Sequence, residues 1–133
     1  MSNPSAPRIL LFHANPAIGG PLRAQLAEEG WQVGGARSFL EAAPSLVAGR
    51  LDLLLIFLPD EAWARNATLT EVRRVNPSLP IVALAPSVTD ELVQGLVRLR
   101  VTTVLRADVA WEDLLTALRE ALGAAGPAPG DAA

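Results

Sequence analysis

The stretch LDLLLIFLPD, residues 51–60, decides the fold of this chain. After Asp52 it is apolar at successive positions rather than at alternate ones, which is typical of a strand covered on both faces within a parallel sheet. We therefore predict a central strand here. Phe57 lies near the carboxyl end of this strand, at the edge where open α/β sheets bind their ligands. The residue type at this position therefore bears directly on function.

The sequence on either side alternates between compact apolar runs, which predict strands, and segments with apolar residues three or four apart, which predict helices. Five such alternations imply parallel strands joined by crossover helices on both faces of one sheet. We predict an α/β fold, a three-layer sandwich around a doubly wound, five-stranded parallel sheet. The predicted strands are 8–13, 31–36, 52–58, 81–85 and 101–105.

Local signals set the expected ends of the helices. Gly20 and Pro21 suit the start of the first helix. Ser38, followed three residues later by Glu41, is a capping box for the second helix, in which Pro44 predicts a kink or a later start. The remaining helices are predicted over residues 62–75, after a cap at Thr89 or Asp90, and from Asp108 to Leu122.

The chain has 133 residues, of which 50% are hydrophobic and 19% charged, with a mean hydropathy of +0.30. This length and apolar content suit one globular domain, which we place at residues 8–122. We expect residues 1–7 to form a disordered leader. Residues 123–133, rich in Ala, Pro and Gly, are expected to form a flexible tail or the start of a linker.

The charge and the missing residue types exclude several kinds of function. A net charge of -3 and a pI near 5.1 argue against direct nucleic-acid binding, which depends on neutralising phosphates. No apolar run approaches the roughly 18 residues that cross a bilayer, so no membrane segment is expected. The absence of cysteine excludes disulfides and thiolate metal sites, and we expect a cytoplasmic location. All 11 basic residues are arginine, which excludes chemistry that needs a lysine amine.

No glycine-rich phosphate loop follows a predicted strand. The segment AIGGP, residues 17–21, places two glycines before a proline and matches neither the dinucleotide-binding nor the P-loop pattern. We therefore expect no cofactor.

Three segments, ILLFHANP at 9–16, DLLLIFL at 52–58 and NPSLPIVALA at 76–85, resemble the receiver domains of bacterial two-component response regulators. The resemblance covers residues 8–122 and implies a flavodoxin-like, receiver-like form of the predicted sandwich. It rests on framework and spacing. The 23 residues from Phe57 to Pro80 match the spacing that often separates the family's phosphorylated Asp from the Pro that opens its fourth strand.

The resemblance also implies that every reactive position of the family is replaced in this chain. Receiver domains commonly read ILVVDDDP at the first strand and DLVLLD at the third. Their acidic metal-binding pair and a third acid, their phosphorylated Asp, their phosphoryl-binding Ser or Thr, their switch aromatic and their Lys fall, in this order, on His13 and Ala14, Asn15, Phe57, Ala85, Val104 and Ala107.

Each replacement removes a chemical capability. Phosphorylation of an aspartate needs a carboxylate nucleophile and a magnesium ion held by further carboxylates. Phe57 offers no nucleophile, and an imidazole, a methyl group and a neutral amide are a poor ligand set for a hard cation. We therefore predict a pseudo-receiver, a non-enzymatic domain that acts in signal transduction through protein contacts independent of phosphorylation.

In receiver domains the face made by the fourth helix, the fifth strand and the fifth helix commonly carries dimer and output contacts. The resemblance implies the same face here, with a mixture of charges that suits a specific and modest interface. The expected partner is another signalling protein or a second copy of the chain. The residues predicted for this face are Glu91, Arg98, Arg100, Arg106, Asp108, Trp111 and Glu112.

Three kinds of alternative remain open, namely regulation at a non-standard site, regulation by a small ligand, and cofactor binding. His13 ends a strand at the ligand edge of the sheet and suits a metal or phosphohistidine site, with Asn15 and Asp60 as neighbours. Asp60 itself is a candidate for a displaced phosphoacceptor, and a signalling domain regulated by a small ligand is equally compatible. The third alternative is a flavodoxin-like cofactor-binding protein, because a fold alone does not determine function.

Overall fold

The computed structural model describes residues 6–13, 16–48, 50–58, 67–101 and 103–125. Within these residues strands and helices alternate along the chain, as the sequence predicts. The elements are β1 (Arg8–Phe12), α1 (Pro16–Glu28), β2 (Gln32–Ala36), α2 (Phe39–Ala48), β3 (Leu53–Phe57), α3 (Ala67–Val75), β4 (Ile81–Ala85), α4 (Asp90–Arg98), β5 (Thr103–Arg106) and α5 (Trp111–Ala125).

The strands form one five-stranded sheet in the order β2-β1-β3-β4-β5. All four strand pairs are parallel, and β3 lies between β1 and β4. The predicted doubly wound α/β sandwich with a central third strand is therefore confirmed. The order in which the chain forms the strands reverses between β1 and β3, which makes this the topological switch point of the sheet. Ligands of open α/β sheets bind beside the carboxyl ends of the strands at such a point.

Two hydrophobic cores lie on opposite faces of the sheet, and this explains why β3 is apolar at every position. Leu53 and Leu55 belong to the core beneath α1 and α5, which we call the α1/α5 core. Leu54 and Ile56 belong to the core beneath α2, α3 and α4, which we call the α2/α3/α4 core. All four side chains are fully buried.

Side-chain caps define two helix starts as predicted. The Thr89 hydroxyl accepts a hydrogen bond from the Leu92 N–H at 3.2 Å, so Thr89 rather than Asp90 is the N-cap of α4. At α2 the Ser38 hydroxyl accepts from the Glu41 N–H at 3.2 Å. The Glu41 carboxylate completes the box by accepting from the backbone N–H of Arg37 at 2.8 Å, one residue before the expected donor.

One predicted helix start is wrong, because helix α1 begins at Pro16 instead of Gly20. Helix α2 begins at Phe39, directly after its Ser38 cap, and continues through Pro44, so the later start that Pro44 suggested is not found. A proline inside a helix removes one backbone hydrogen bond. Pro21 and Pro44 are both exposed, and each helix buries apolar side chains against the sheet, so tertiary packing outweighs the lost bond.

Arg73 is the one charged residue, among those that the structure describes, to be buried; it is 8% exposed. Its guanidinium lies in the last turn of α3 and reaches the end of α4, so it places a positive charge at two helix carboxyl ends. Burial lowers the pKa of Arg73, and the charge of Arg100 lowers it further. Its acceptors are the carbonyl oxygens of Leu99 (2.7 Å), Asn76 (3.1 Å), Pro77 (3.1 Å), Leu79 (2.8 Å) and Arg100 (3.0 Å).

The end of α4 explains how two of these carbonyl groups reach Arg73. Arg100 adopts a left-handed conformation with φ 57°. The Val101 N–H donates to the Leu96 carbonyl at 3.1 Å, and the Arg100 N–H donates to the Val97 carbonyl at 2.9 Å. These two bonds form a Schellman motif, which turns the chain and directs the last carbonyl groups away from the helix axis.

The described residues extend slightly past both predicted ends of the domain, 8–122. Ala6 is buried, and the Pro7 carbonyl accepts a hydrogen bond from the Gln32 N–H at 2.9 Å, so both residues contact the rest of the domain. Helix α5 continues to Ala125, three residues past the predicted domain end at residue 122. The other leader and tail positions, residues 1–5 and 126–133, lie outside the described residues. In the described part of the chain, every helix is too short or too polar to span a membrane.

Candidate functional site

Four of the predicted pocket positions lie at the carboxyl edge of the sheet. Phe57 and Ala85 are the last residues of β3 and β4, whereas His13 and Ala107 directly follow β1 and β5. Val104 lies two residues inside this edge, paired with Ala83. Ala14, Asn15 and Asp60 fall outside the described residues.

Backbone hydrogen bonds hold these positions at the edge. The Ala107 N–H donates to the Ala85 carbonyl at 2.7 Å, so the ladder between β4 and β5 extends one residue past both strands. The His13 N–H donates in the same way to the Ala36 carbonyl of β2 at 3.0 Å. These hydrogen bonds fix the backbone positions of His13 and Ala107 at the edge. The chemistry that is possible there depends on the side chains.

Phe57 packs on one side of the sheet. Its ring is partly buried against the α1/α5 core, in agreement with its register partner Leu84, which belongs to the same core. Ala85 and Val104 instead belong to, or pack against, the α2/α3/α4 core. Phe57 therefore extends the α1/α5 core toward the edge instead of occupying the space between Ala85 and Val104.

The described part of this edge carries little reactive chemistry. Ala85 is 1% exposed and Ala107 is exposed, and neither methyl group can donate or accept a hydrogen bond. Phe57 and Val104 are hydrocarbon as well. Among the described residues, no group of three His, Asp or Glu side chains is arranged to hold a metal ion.

His13 is the polar exception at this edge. It is 8% exposed, and its Nδ1 has no hydrogen-bond partner among the described residues. An unpaired buried nitrogen costs about 1–3 kcal/mol. His13 lines a cleft beside β2, on the far side of β1 from Phe57.

Two arginines outside the predicted site residues, Arg23 and Arg37, line the same cleft as His13. They come from α1 and from the loop after β2, so neither is near His13 in sequence. One available signal was the pair Gly34 and Gly35, because glycine inside a strand often marks a place where another group approaches closely.

The residues predicted for the interaction face lie around β5, an edge strand flanked by α4 and α5. Most of them are exposed, and the Arg106 guanidinium pairs with the Asp108 carboxylate at 3.0 Å. Trp111 differs, because it is partly buried against the α1/α5 core. We call the exposed members, Glu91, Arg98, Arg100, Arg106, Asp108 and Glu112, the α4–β5–α5 face.

Comparison with known proteins shows which solved structures share this fold. No family model matches the sequence, and neither does any curated protein. Among solved structures, a CheY-like receiver domain protein from Methanospirillum hungatei superposes with a TM-score of 0.79 at 21% identity, covering 91% of this chain and 97% of that one. The signal receiver domain of an HD domain-containing protein from Pseudomonas fluorescens gives 0.78 at 23% identity, covering 90% and 97%.

A third neighbour is the non-phosphorylated HemR receiver domain from Leptospira biflexa, with a TM-score of 0.75 at 21% identity, covering 92% of this chain and 98% of that one. All three likenesses extend over nearly the whole of both chains, which excludes a match to a shared fragment. The resemblance seen in the sequence is thus matched by the three-dimensional structure. This chain has the fold of response regulator receiver domains.

Proposed function

We propose that the protein is a receiver-like signalling domain that is not phosphorylated at the usual position and that works through protein contacts. The observation that carries this proposal is the hydrocarbon at three strand ends, where Phe57, Ala85 and Ala107 stand. A phosphoryl group transferred to this edge would find no acceptor oxygen among these side chains, and no hydroxyl or ammonium group to bind its charge.

The loss of charge also supports a fixed conformation. Clustered carboxylates repel one another and raise one another's pKa values unless a cation binds between them. Phe57 instead adds apolar contact to the α1/α5 core. The domain is therefore expected to hold one resting conformation, which a partner can bind without prior modification.

The α4–β5–α5 face is the surface proposed for that partner, which is another signalling protein or a second copy of the chain. It combines cations and anions around an edge strand, and complementary charges of this kind favour specificity over raw affinity. The P. fluorescens neighbour is the receiver domain of a protein with an HD domain. This neighbour supports the idea that a domain with this fold can occur together with another domain in one protein.

Treatment with magnesium and a small phosphoryl donor should leave the protein unmodified. Intact-mass measurement should show no added phosphoryl group, and the fluorescence of Trp31 and Trp111, which both pack against the α1/α5 core, should stay unchanged. A receiver domain with an intact acidic site serves as the positive control. A phosphoryl group mapped to Asp60 or His13 would instead favour regulation at a non-standard site.

Reversing the charge of Arg98 or Arg106 should reduce partner capture by at least about tenfold, the equivalent of about 1.4 kcal/mol. In Arg106→Glu the new carboxylate lies beside Asp108, so attraction becomes repulsion. The measurement is capture from native cell extract on the immobilised chain, with sedimentation to detect a self-associated form. Arg50→Glu, an exposed change outside the α4–β5–α5 face, is the matched control. Full capture by both test variants would show that partners bind elsewhere.

A further inference from the structure

A cleft of about 290 Å³ opens between α1 and β2. It is separate from the strand ends that carry Phe57, Ala85 and Ala107, because β2 is the opposite edge strand of the sheet from β5. Its volume suits a small metabolite and is below that of most drug-sized pockets. Side chains from three parts of the chain line it, including Arg23 of α1, His13 after β1, and Arg37 and Glu41 near the start of α2.

Arg23 is held over the floor of this cleft. Its Nε donates to the Val33 carbonyl of β2 at 3.1 Å, which anchors the side chain across the gap between helix and strand. The Nη1 atom lies 3.5 Å from where a Cβ on residue 35 would be, so the guanidinium lies directly against Gly35. The guanidinium is thus oriented before any ligand binds, which reduces the entropy lost on binding.

The carboxylate of Glu41, which lines the cleft, already accepts a hydrogen bond from the protein backbone. Glu41 caps α2 by accepting a hydrogen bond from the Arg37 N–H at 2.8 Å. Among the described lining residues, two guanidinium groups and one carboxylate therefore give a net positive charge, in a chain whose overall charge is -3. A cation concentration against the overall charge is the pattern expected of an anion site.

His13 supplies the second, independent observation. It is more than nine-tenths buried, lines the cleft and has an Nδ1 without a hydrogen-bond partner among the described residues. A buried polar atom left unpaired is costly and calls for an explanation, and an ion bound at the site is one such explanation.

We propose that the α1–β2 cleft binds the oxyanion group of a small metabolite, a phosphate or a carboxylate. The forked donors of Arg23 and Arg37 match the paired oxygens of both groups, and His13 lies on the wall beside them. The proposal goes beyond the function proposed above, because an interaction domain can work with this cleft empty. Its test involves no partner protein, so the two can fail independently.

The test is a titration of the ¹⁵N-labelled full chain followed by NMR, with inorganic phosphate and succinate as separate probes. Each is compared with sodium chloride at equal ionic strength. Saturable shifts should appear in the amides of Gly35, Ala36 and Arg37, and the probe that saturates at the lower concentration identifies phosphate or carboxylate as the preferred group. The absence of saturable shifts with both probes, or identical shifts with chloride, would overturn the proposal.

Two variants and a control localise the binding. Arg37→Gln removes a charge and keeps the backbone N–H that Glu41 needs, and Gly35→Val fills the floor under Arg23 with a residue that strands favour. Each should raise the dissociation constant by about tenfold or more, the effect expected for a lost charge-assisted hydrogen bond. Arg119→Gln, the same charge change on α5, should leave it unchanged. Equal weakening by Arg119→Gln and Arg37→Gln would show unspecific binding and sink the idea.

Discussion

Replacing Arg73 by methionine should lower the free energy of unfolding by about 3 kcal/mol, because a buried hydrogen-bonding group left without its partner costs about 1–3 kcal/mol. Methionine keeps much of the length and removes every donor. Five backbone carbonyl groups then lose their contact, and those that are buried lose it without gaining water. The measurement is the urea unfolding midpoint and slope of the full chain.

The neighbouring Arg74 provides a matched control for this result. Arg74 is exposed and pairs with Glu71 on the same helix, and this hydrogen bond lowers the pKa of the Glu71 carboxyl. Exposed pairs of this kind contribute little to stability. Arg74→Met should therefore leave the urea midpoint almost unchanged, and similar losses for both variants would contradict the role assigned to Arg73.

Replacing Phe57 by aspartate, the residue that receiver domains carry at this position, should destabilise the fold by about 2 kcal/mol, because the change removes the apolar contact of a large side chain. The side chain packs against the α1/α5 core, so the new carboxylate would lie at an apolar surface. Phe57→Leu keeps an apolar group and should cost less than half as much. Unfolding in urea at neutral pH measures both variants.

The loss in Phe57→Asp should depend on pH in a defined direction. An apolar environment raises the pKa of a carboxyl group in the folded state above its value in the unfolded chain. The part of the penalty that comes from the carboxylate charge is then fully present above the folded pKa and disappears as the pH falls below the unfolded one, whereas the part from lost apolar contact remains. The gap in stability between Phe57→Asp and the unmodified protein should therefore narrow on acidification. A gap that is constant or widens would show that the carboxylate is well solvated.

The order of strands and helices follows from sequence patterns because burial imposes its periodicity on the residues. The continuous apolar run at 53–56 reflects a strand between two cores, and Thr89 has the side chain that an N-cap needs. The early start of α1 and the continuation of α2 through Pro44 do not follow from the sequence, because proline and glycine preferences are local. Burial of residues such as Leu26 and Leu46 overrides these preferences in the folded chain.

Part of the candidate site can also be predicted from the sequence. Spacing along the strands places His13, Phe57 and Ala85 at one edge of the sheet, and the structure finds them there. The face against which Phe57 packs depends on the pleat register, which the spacing alone does not give. The environments of Arg23 and Arg73 depend on contacts between distant segments, so a sequence pattern of alternating polar and apolar residues carries no sign of them.

The hydrogen bonds of Arg73 link three segments of the domain during local unfolding. Its acceptors lie at the ends of α3 and α4 and in the connection to β4, up to 27 residues away in sequence. Local unfolding of any one of these segments removes a partner from the other two, so they should fray and re-form together as one cooperative unit. Amide hydrogen exchange should therefore report a single shared opening energy for these segments, with α4 unable to loosen on its own.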